Sequence, residues 1–181
     1  MKGFERKNRY FSLCGLNCAL CPMYVGGYCP SCGGGAGNQS CRIAKCSIEQ
    51  GGIEFCFECK KYPCEHYGEE DVVDSFITYR NRRADAGRAK KDIRSYIREQ
   101  EEKEKILLWL LSECNDGRRK TLFCTAVNLL SLHQLEKVMN VLQEDKTELL
   151  KEKASLAATL LQEEAKKQGI SLSLRKNTER R

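Results

Sequence analysis

The chain lacks a long apolar run. Its longest, residues 106–111, is far too short to cross a bilayer, so no membrane span is expected. Residues 1–9 carry charge with no apolar stretch behind them, so no secretory leader is expected and the protein reads as cytoplasmic. Histidine is scarce, with two residues, and His133 has no Ser or Cys that can be placed beside it, so acyl-transfer chemistry is not indicated. Aromatic residues are 8% and hydrophobic residues 41% of 181, enough for small helical layers with a modest core. No internal repeat is visible, and only the basic C-terminal tail has a disordered composition.

Charge excludes little. The net value is +6, with 8 basic and 7 acidic side chains in residues 1–70 and 23 and 18 in residues 71–181. A four-thiolate site around a dication adds about −2, so two such sites would leave the chain at roughly +2. The basic balance is weak support for a nucleic-acid partner.

Cysteine is what the chain has in excess. Ten of its twelve cysteines fall at positions 14, 18, 21, 29, 32, 41, 46, 56, 59 and 64, with Cys114 and Cys124 apart. In a reducing compartment such a cluster needs a reason other than disulfides, and metal is the usual one. Three C-x-x-C pairs occur: Cys18/Cys21, Cys29/Cys32 and Cys56/Cys59. Two intervening residues let both sulfurs reach one ion at about 2.3 Å while turn N–H groups offset their charge. Cys29-Pro30-Ser31-Cys32-Gly33 has the composition of a zinc knuckle, and Cys56-Phe57-Glu58-Cys59-Lys60 is a second candidate.

The candidate metal ligands are therefore Cys14, Cys18, Cys21, Cys29, Cys32, Cys41, Cys46, Cys56, Cys59 and Cys64, with His66 as an eleventh donor. They suffice for two zinc ions and leave a third open; the spacing does not say which pairs share an ion. Buried unliganded thiols and a thiol–disulfide protein compete with zinc, although no βαβ pattern surrounds the C-x-x-C pairs. The sharper alternative is a [4Fe–4S] cluster. Cys14-Gly15-Leu16-Asn17-Cys18-Ala19-Leu20-Cys21 resembles the cluster motif of radical S-adenosylmethionine enzymes, but the chain has neither the length nor the strand–helix alternation of their barrel.

The order of motifs carries a family resemblance. Cys14-Gly15-Leu16-Asn17-Cys18, Cys21-Pro22, Cys29-Pro30-Ser31-Cys32, Cys56-Phe57-Glu58-Cys59 and Tyr62-Pro63-Cys64-Glu65 together resemble domain-of-unknown-function family 3795, most strongly over residues 12–68. The stretch at residues 115–124 is similar to longer members. The resemblance implies a small, cysteine-rich, metal-binding prokaryotic protein and no established activity.

Beyond residue 69 the pattern turns helical. Val72, Val73, Phe76 and Ile77 make an apolar stripe behind an acidic opening, which predicts a helix start. The arginine-rich residues 80–88, with Gly87, interrupt it, and helix resumes at Ala89 and runs to Leu111, with a solvated middle at residues 99–105 and an apolar end. Asn115-Asp116-Gly117 stops it, and Thr121 is a candidate cap for the next helix. Ser131-Leu132-His133-Gln134 reads as a capping box, and a further helix spans residues 146–167 before Gly169. Residues 170–174 alternate apolar and polar, suggesting a short strand.

Two basic stretches remain. Arg118, Arg119 and Lys120 precede a predicted helix start and are candidates for binding an anion; a loop paired with its own acids is the plainer reading. Arg80, Arg82, Arg83, Arg88, Lys90 and Lys91, near Tyr79, are a candidate nucleic-acid contact or an ordinary solvated face. Cys114 and Cys124 read as packed side chains. The expected architecture is mainly α, with an irregular zinc-binding module at residues 1–68, a helical region at residues 69–181 and a short C-terminal strand. The scarcity of histidine favours closed thiolate sites, and so a scaffold that binds protein or nucleic acid over an enzyme.

Overall fold

Residues 106–111 end the longest helix, and the rest of the fold is arranged around that apolar stretch. The computed structural model describes residues 3–35, 41–67 and 72–176. Among these lie seven α-helices: α1 (Pro22–Val25), α2 (Arg42–Glu49), α3 (Arg82–Lys91), α4 (Ile93–Glu113), α5 (Lys120–Leu129), α6 (Leu132–Glu144) and α7 (Leu150–Lys167). Short 3-10 turns occupy Cys18–Leu20, Cys56–Glu58 and Glu65–Tyr67. The chain is mainly helical, and among the described residues an isolated antiparallel bridge joins Glu5 to Gly34.

Helix α4 packs against α3, α5, α6 and α7. Leu107 and Leu110 of α4 meet Phe123 and Val127 of α5, Leu135 and Leu142 of α6, and Ala157 and Leu161 of α7 in one core. The buried stripe of α7 is mostly alanine, so its backbone can lie close to its neighbours. Burial of each large aliphatic side chain here contributes about 1.5–3 kcal/mol. Leu20, from the cysteine-rich segment, is buried in this same core.

A second cluster joins Phe11 and Phe55 to Ala86 and Ala89 of α3 and Tyr96 of α4. The Phe11 ring meets Tyr96 edge-on at 4.9 Å, and Phe55 stacks on Phe57 at 5.0 Å. A third gathers Phe4, Leu13, Ile43 and Ala44 beside Cys14, Cys32 and Cys56. The cysteine-rich segment is thus less irregular than its composition predicts: it holds α2 and small apolar clusters of its own.

Several local expectations hold. The Ser131 hydroxyl accepts from the Gln134 N–H at 3.3 Å while the Gln134 side chain accepts from the Ser131 N–H at 2.9 Å, closing the capping box of α6. Helix α7 ends just before Gly169.

Others are corrected. Residues 72–77 form no helix, because the Asp74 carboxylate accepts from the Tyr79 N–H and from the Arg175 N–H, both at 2.9 Å, and draws the backbone into a turn. Helix α3 begins at Arg82 and accommodates Gly87; the break falls at extended Asp92, whose carboxylate accepts from the Ser95 N–H at 3.0 Å and caps α4. The middle of α4 is not uniformly solvated, since Gln100 and Lys103 are 1% and 4% exposed. Thr121 lies inside α5, whose N-cap is Arg119, and α7 starts at Leu150. Residues 170–174 form no strand: the Ser171 and Ser173 carbonyls accept from the Arg80 guanidinium where a neighbouring strand would have donated, and Leu172 is buried in the helical core.

Candidate functional site

The loop that opens the cysteine-rich segment is set by Ser12. Its N–H donates to the Leu16 carbonyl at 2.7 Å, its hydroxyl accepts from the Leu16 N–H at 2.8 Å, and that hydroxyl lies 3.3 Å from the Cys14 sulfur. Gly15 has φ +91° and lies flat on α3; a Cβ there would stand 2.9 Å from the Arg82 carbonyl oxygen, so only glycine allows this approach. Asn17 then bridges the loop to the helices. It donates to the Asp85 carboxylate at 3.1 Å and accepts from the Tyr96 hydroxyl at 2.9 Å. Asn128 of α5 holds the next turn by donating to the Leu20 carbonyl at 3.2 Å.

Held in this way, Cys14 and Cys18 line a cavity of about 200 Å³ together with Cys29, Cys32 and Cys41, and with Leu13, Ile43 and Ala44 as apolar wall. The Cys32 N–H points at the Cys18 sulfur, and the Leu13 N–H and Arg6 guanidinium point at the Cys32 sulfur. The Arg6 side chain is 1% exposed and also donates to the Glu54 carbonyl at 2.7 and 3.0 Å and to the Phe11 carbonyl at 3.1 Å. Gly33, at φ +81°, leaves room for it: a Cβ would stand 2.7 Å from the arginine. Arg82, 1% exposed, lies on the Cys14 side. Burial pushes the Cys14 thiol up to about 11, with Ser12 and Arg82 pulling against it, and raises Cys18 and Cys32 as well.

A second group of sulfurs lies on the other side of α2. Cys46, Cys56, Cys59, Cys64 and His66 line a narrow cavity of about 30 Å³, with Leu13, Ile43 and Tyr62 behind them. Cys46, Cys59, Cys64 and His66 continue into an adjoining recess of about 350 Å³ beside Lys61 and Glu65. Burial, then Cys64 and Cys59, raise the Cys46 thiol, and Lys61 opposes them.

The donors around both cavities are almost wholly sulfur, the chemistry that suits zinc or an iron–sulfur cluster. Among the described residues, no group of three or more Cys, His, Asp or Glu is close enough to hold an ion as positioned.

Cys21 stands outside both groups: the Met23 and Tyr24 N–H groups point at its sulfur, which faces Cys29 and the Lys120 amine. Burial pushes the Cys124 thiol up to about 12, next to Cys21, and raises Cys114, which is buried in the helical core. Both packed-side-chain readings agree with this placement.

The basic candidates are dispersed. Arg119 faces Asp116 at 3.6 Å, the Asp116 side chain accepts from the exposed Arg118's N–H at 3.1 Å, and the Lys120 amine lies 5.7 Å from the centre of the Tyr28 ring. In the arginine-rich stretch, Arg82 is buried, Arg80 serves the carbonyls of Ser171 and Ser173, and Arg88 pairs with Glu99 and Asp85. Sequence reasoning missed Arg6, Arg82, Ser12 and Asn17 as neighbours of the sulfurs. Asn17 alone had a signal, its place inside the Cys14–Cys18 motif.

Residues 26–69 match the family model described as Protein of unknown function (DUF3795). The match bears out the resemblance read from the cysteine motifs, and the Cys14 to Cys21 motif lies upstream of it. Comparison with curated proteins and with solved structures finds no match. Among the described residues, no helix is long and apolar enough to cross a membrane.

Proposed function

We propose that this protein binds two zinc ions in closed thiolate sites, and that the ions fix the shape of an interaction module for protein or nucleic acid. The observation that carries this reading is the convergence of nine cysteines, from Cys14 to Cys64, on two cavities. Burial raises these thiols, and the backbone N–H groups and guanidinium groups beside them pull the other way, towards thiolate, the ligand form. Sulfur-only coordination with four ligands leaves no open position for substrate, which favours a scaffold over a catalyst.

Metal analysis of anaerobically purified protein tests the proposal. A colourless protein with two equivalents of zinc supports it; folded, metal-free protein with all thiols titratable rejects it. The Cys14-x3-Cys18-x2-Cys21 spacing carries the competing [4Fe–4S] reading, which a brown protein containing iron and sulfide would select. A nucleic-acid partner would be recognised by affinity that falls steeply with salt.

A further inference from the structure

The two cavities divide the ligands between them. Resting on the metal-binding reading above, we propose that Cys14, Cys18, Cys32 and Cys41 hold one ion and Cys46, Cys56, Cys59 and Cys64 the other, with Cys21 and Cys29 outside both sites.

Helix α2 makes the division. Cys41 is its N-cap and Cys46 lies in its second turn. Cys41 lines the first cavity and Cys46 the second, so the two sulfurs leave α2 towards different cavities. Ile43, buried between them, lines both cavities, as does Leu13 from the facing loop. An apolar wall thus separates the two sulfur sets.

Within the first set, the 3-10 turn at Cys18–Leu20 sends Cys18 into the cavity and carries Cys21 past it to α1. Cys29 also lines the cavity, but it has Cys21 as a neighbour, and Cys21 lies beside the Lys120 amine and outside the cavity. Two of the three C-x-x-C pairs are therefore split, against the simplest reading of their spacing. Charge agrees with four thiolates here. Four thiolates around a dication carry about −2, and two buried guanidinium groups, Arg6 and Arg82, flank this cavity. Arg6 also meets Glu54 at 3.4 Å, so its charge is shared. In the second set the Cys56–Glu58 turn returns the Cys59 N–H to the Cys56 carbonyl at 3.1 Å, a tight turn that keeps its two flanking cysteines close. These four cysteines would supply the four ligands that a closed zinc site takes, without His66, which lines the same cavity.

The test is zinc content of the folded full chain by native mass spectrometry, after zinc loading, for cysteine-to-alanine variants. Wild type should carry two equivalents. Cys14→Ala, Cys41→Ala, Cys46→Ala and Cys64→Ala should each carry one, and Cys21→Ala and Cys29→Ala should carry two. Cys14→Ala combined with Cys41→Ala should still carry one, whereas Cys41→Ala combined with Cys46→Ala should carry none. Loss of an equivalent from the Cys21 or Cys29 variant, or two equivalents in the Cys41 variant, overturns the partition while the metal-binding reading stands. Wild type without metal overturns both.

Because a ligand variant can lose metal by unfolding, cadmium NMR of the cadmium-substituted wild type gives a second readout. Two resonances in the all-sulfur range support the partition. A resonance shifted by a nitrogen donor overturns it by placing His66 in the second site.

Discussion

Asn17, between two of the clustered cysteines, donates its side-chain amide to Asp85 of α3 at 3.1 Å, tying the cysteine loop to the helices through a buried carboxylate. Burial pushes Asp85 up to about 6 from its ordinary 3.8, against Lys103, Arg88 and the neighbouring Tyr96 and Asn17 side chains, which pull it down. Glu99 completes the charged surroundings, pairing with both Arg88 and Lys103. The folded state holds this proton more tightly than the unfolded state. The contribution therefore stabilises the fold below about 3.8 and is lost as pH rises through about 6, an effect of at most about 3 kcal/mol. Asp85→Asn should remove this slope. The difference in urea-unfolding free energy between wild type and variant, in the same metal state, should change by 1 kcal/mol or more, as an order of magnitude, between pH 7 and pH 5. A constant difference would show that Asp85 titrates normally.

What could be read beforehand follows from the range of the forces. The capping box at Ser131 and the apolar end of α4 depend on residues within one or two turns, so their patterns stood in the sequence. The turn at Asp74 did not, because its partner Arg175 is 101 residues away. An apolar stripe and an acidic opening looked like a helix start until that distant arginine claimed the carboxylate. Likewise a run of arginines reads as solvated, and nothing local marks Arg82 for burial under Gly15. For the sulfurs, spacing showed that the cysteines cluster; only the path of α2 divides Cys41 from Cys46.

Removing metal should loosen the cysteine-rich segment and leave the helical core in place. Phe11 and Leu20 are packed against α3, α4 and α5, so the segment keeps an apolar anchor when coordination is lost. Hydrogen exchange after chelation should show protection falling by at least about tenfold over residues 41–67, with α4 to α7 little changed, because the metal's binding energy is folding energy only for the elements it joins. Equal protection before and after chelation would reject a structural role for the ions.

Asp74→Ala should release the C-terminal stretch. It removes acceptors for the Tyr79 N–H, the Arg175 N–H and the Arg175 guanidinium, the last at 2.7 Å. Leaving such groups unmet costs about 1–3 kcal/mol. Limited proteolysis should cut residues 170–176 of the variant at least several-fold faster than wild type, with α4 to α7 intact. An unchanged cleavage rate would mean that the Arg80 bonds to Ser171 and Ser173, the buried Leu172 and the Asp74 N–H bond to the Arg175 carbonyl hold the segment without the carboxylate.

Leu161 tests the other half of the molecule. It is fully buried, on the α7 stripe where its neighbours are alanines, and it fills the core between α4, α5 and α6. Alanine at this position should leave a void that small neighbouring side chains cannot fill, for a loss of about 2–5 kcal/mol in unfolding free energy. The zinc content of the folded variant should stay at the wild-type value, because Leu161 lies in the helical core and lines neither sulfur cavity. Loss of zinc from folded Leu161→Ala protein would mean that the helical core sets the geometry of the thiolates, through the contact of Leu20 with that core.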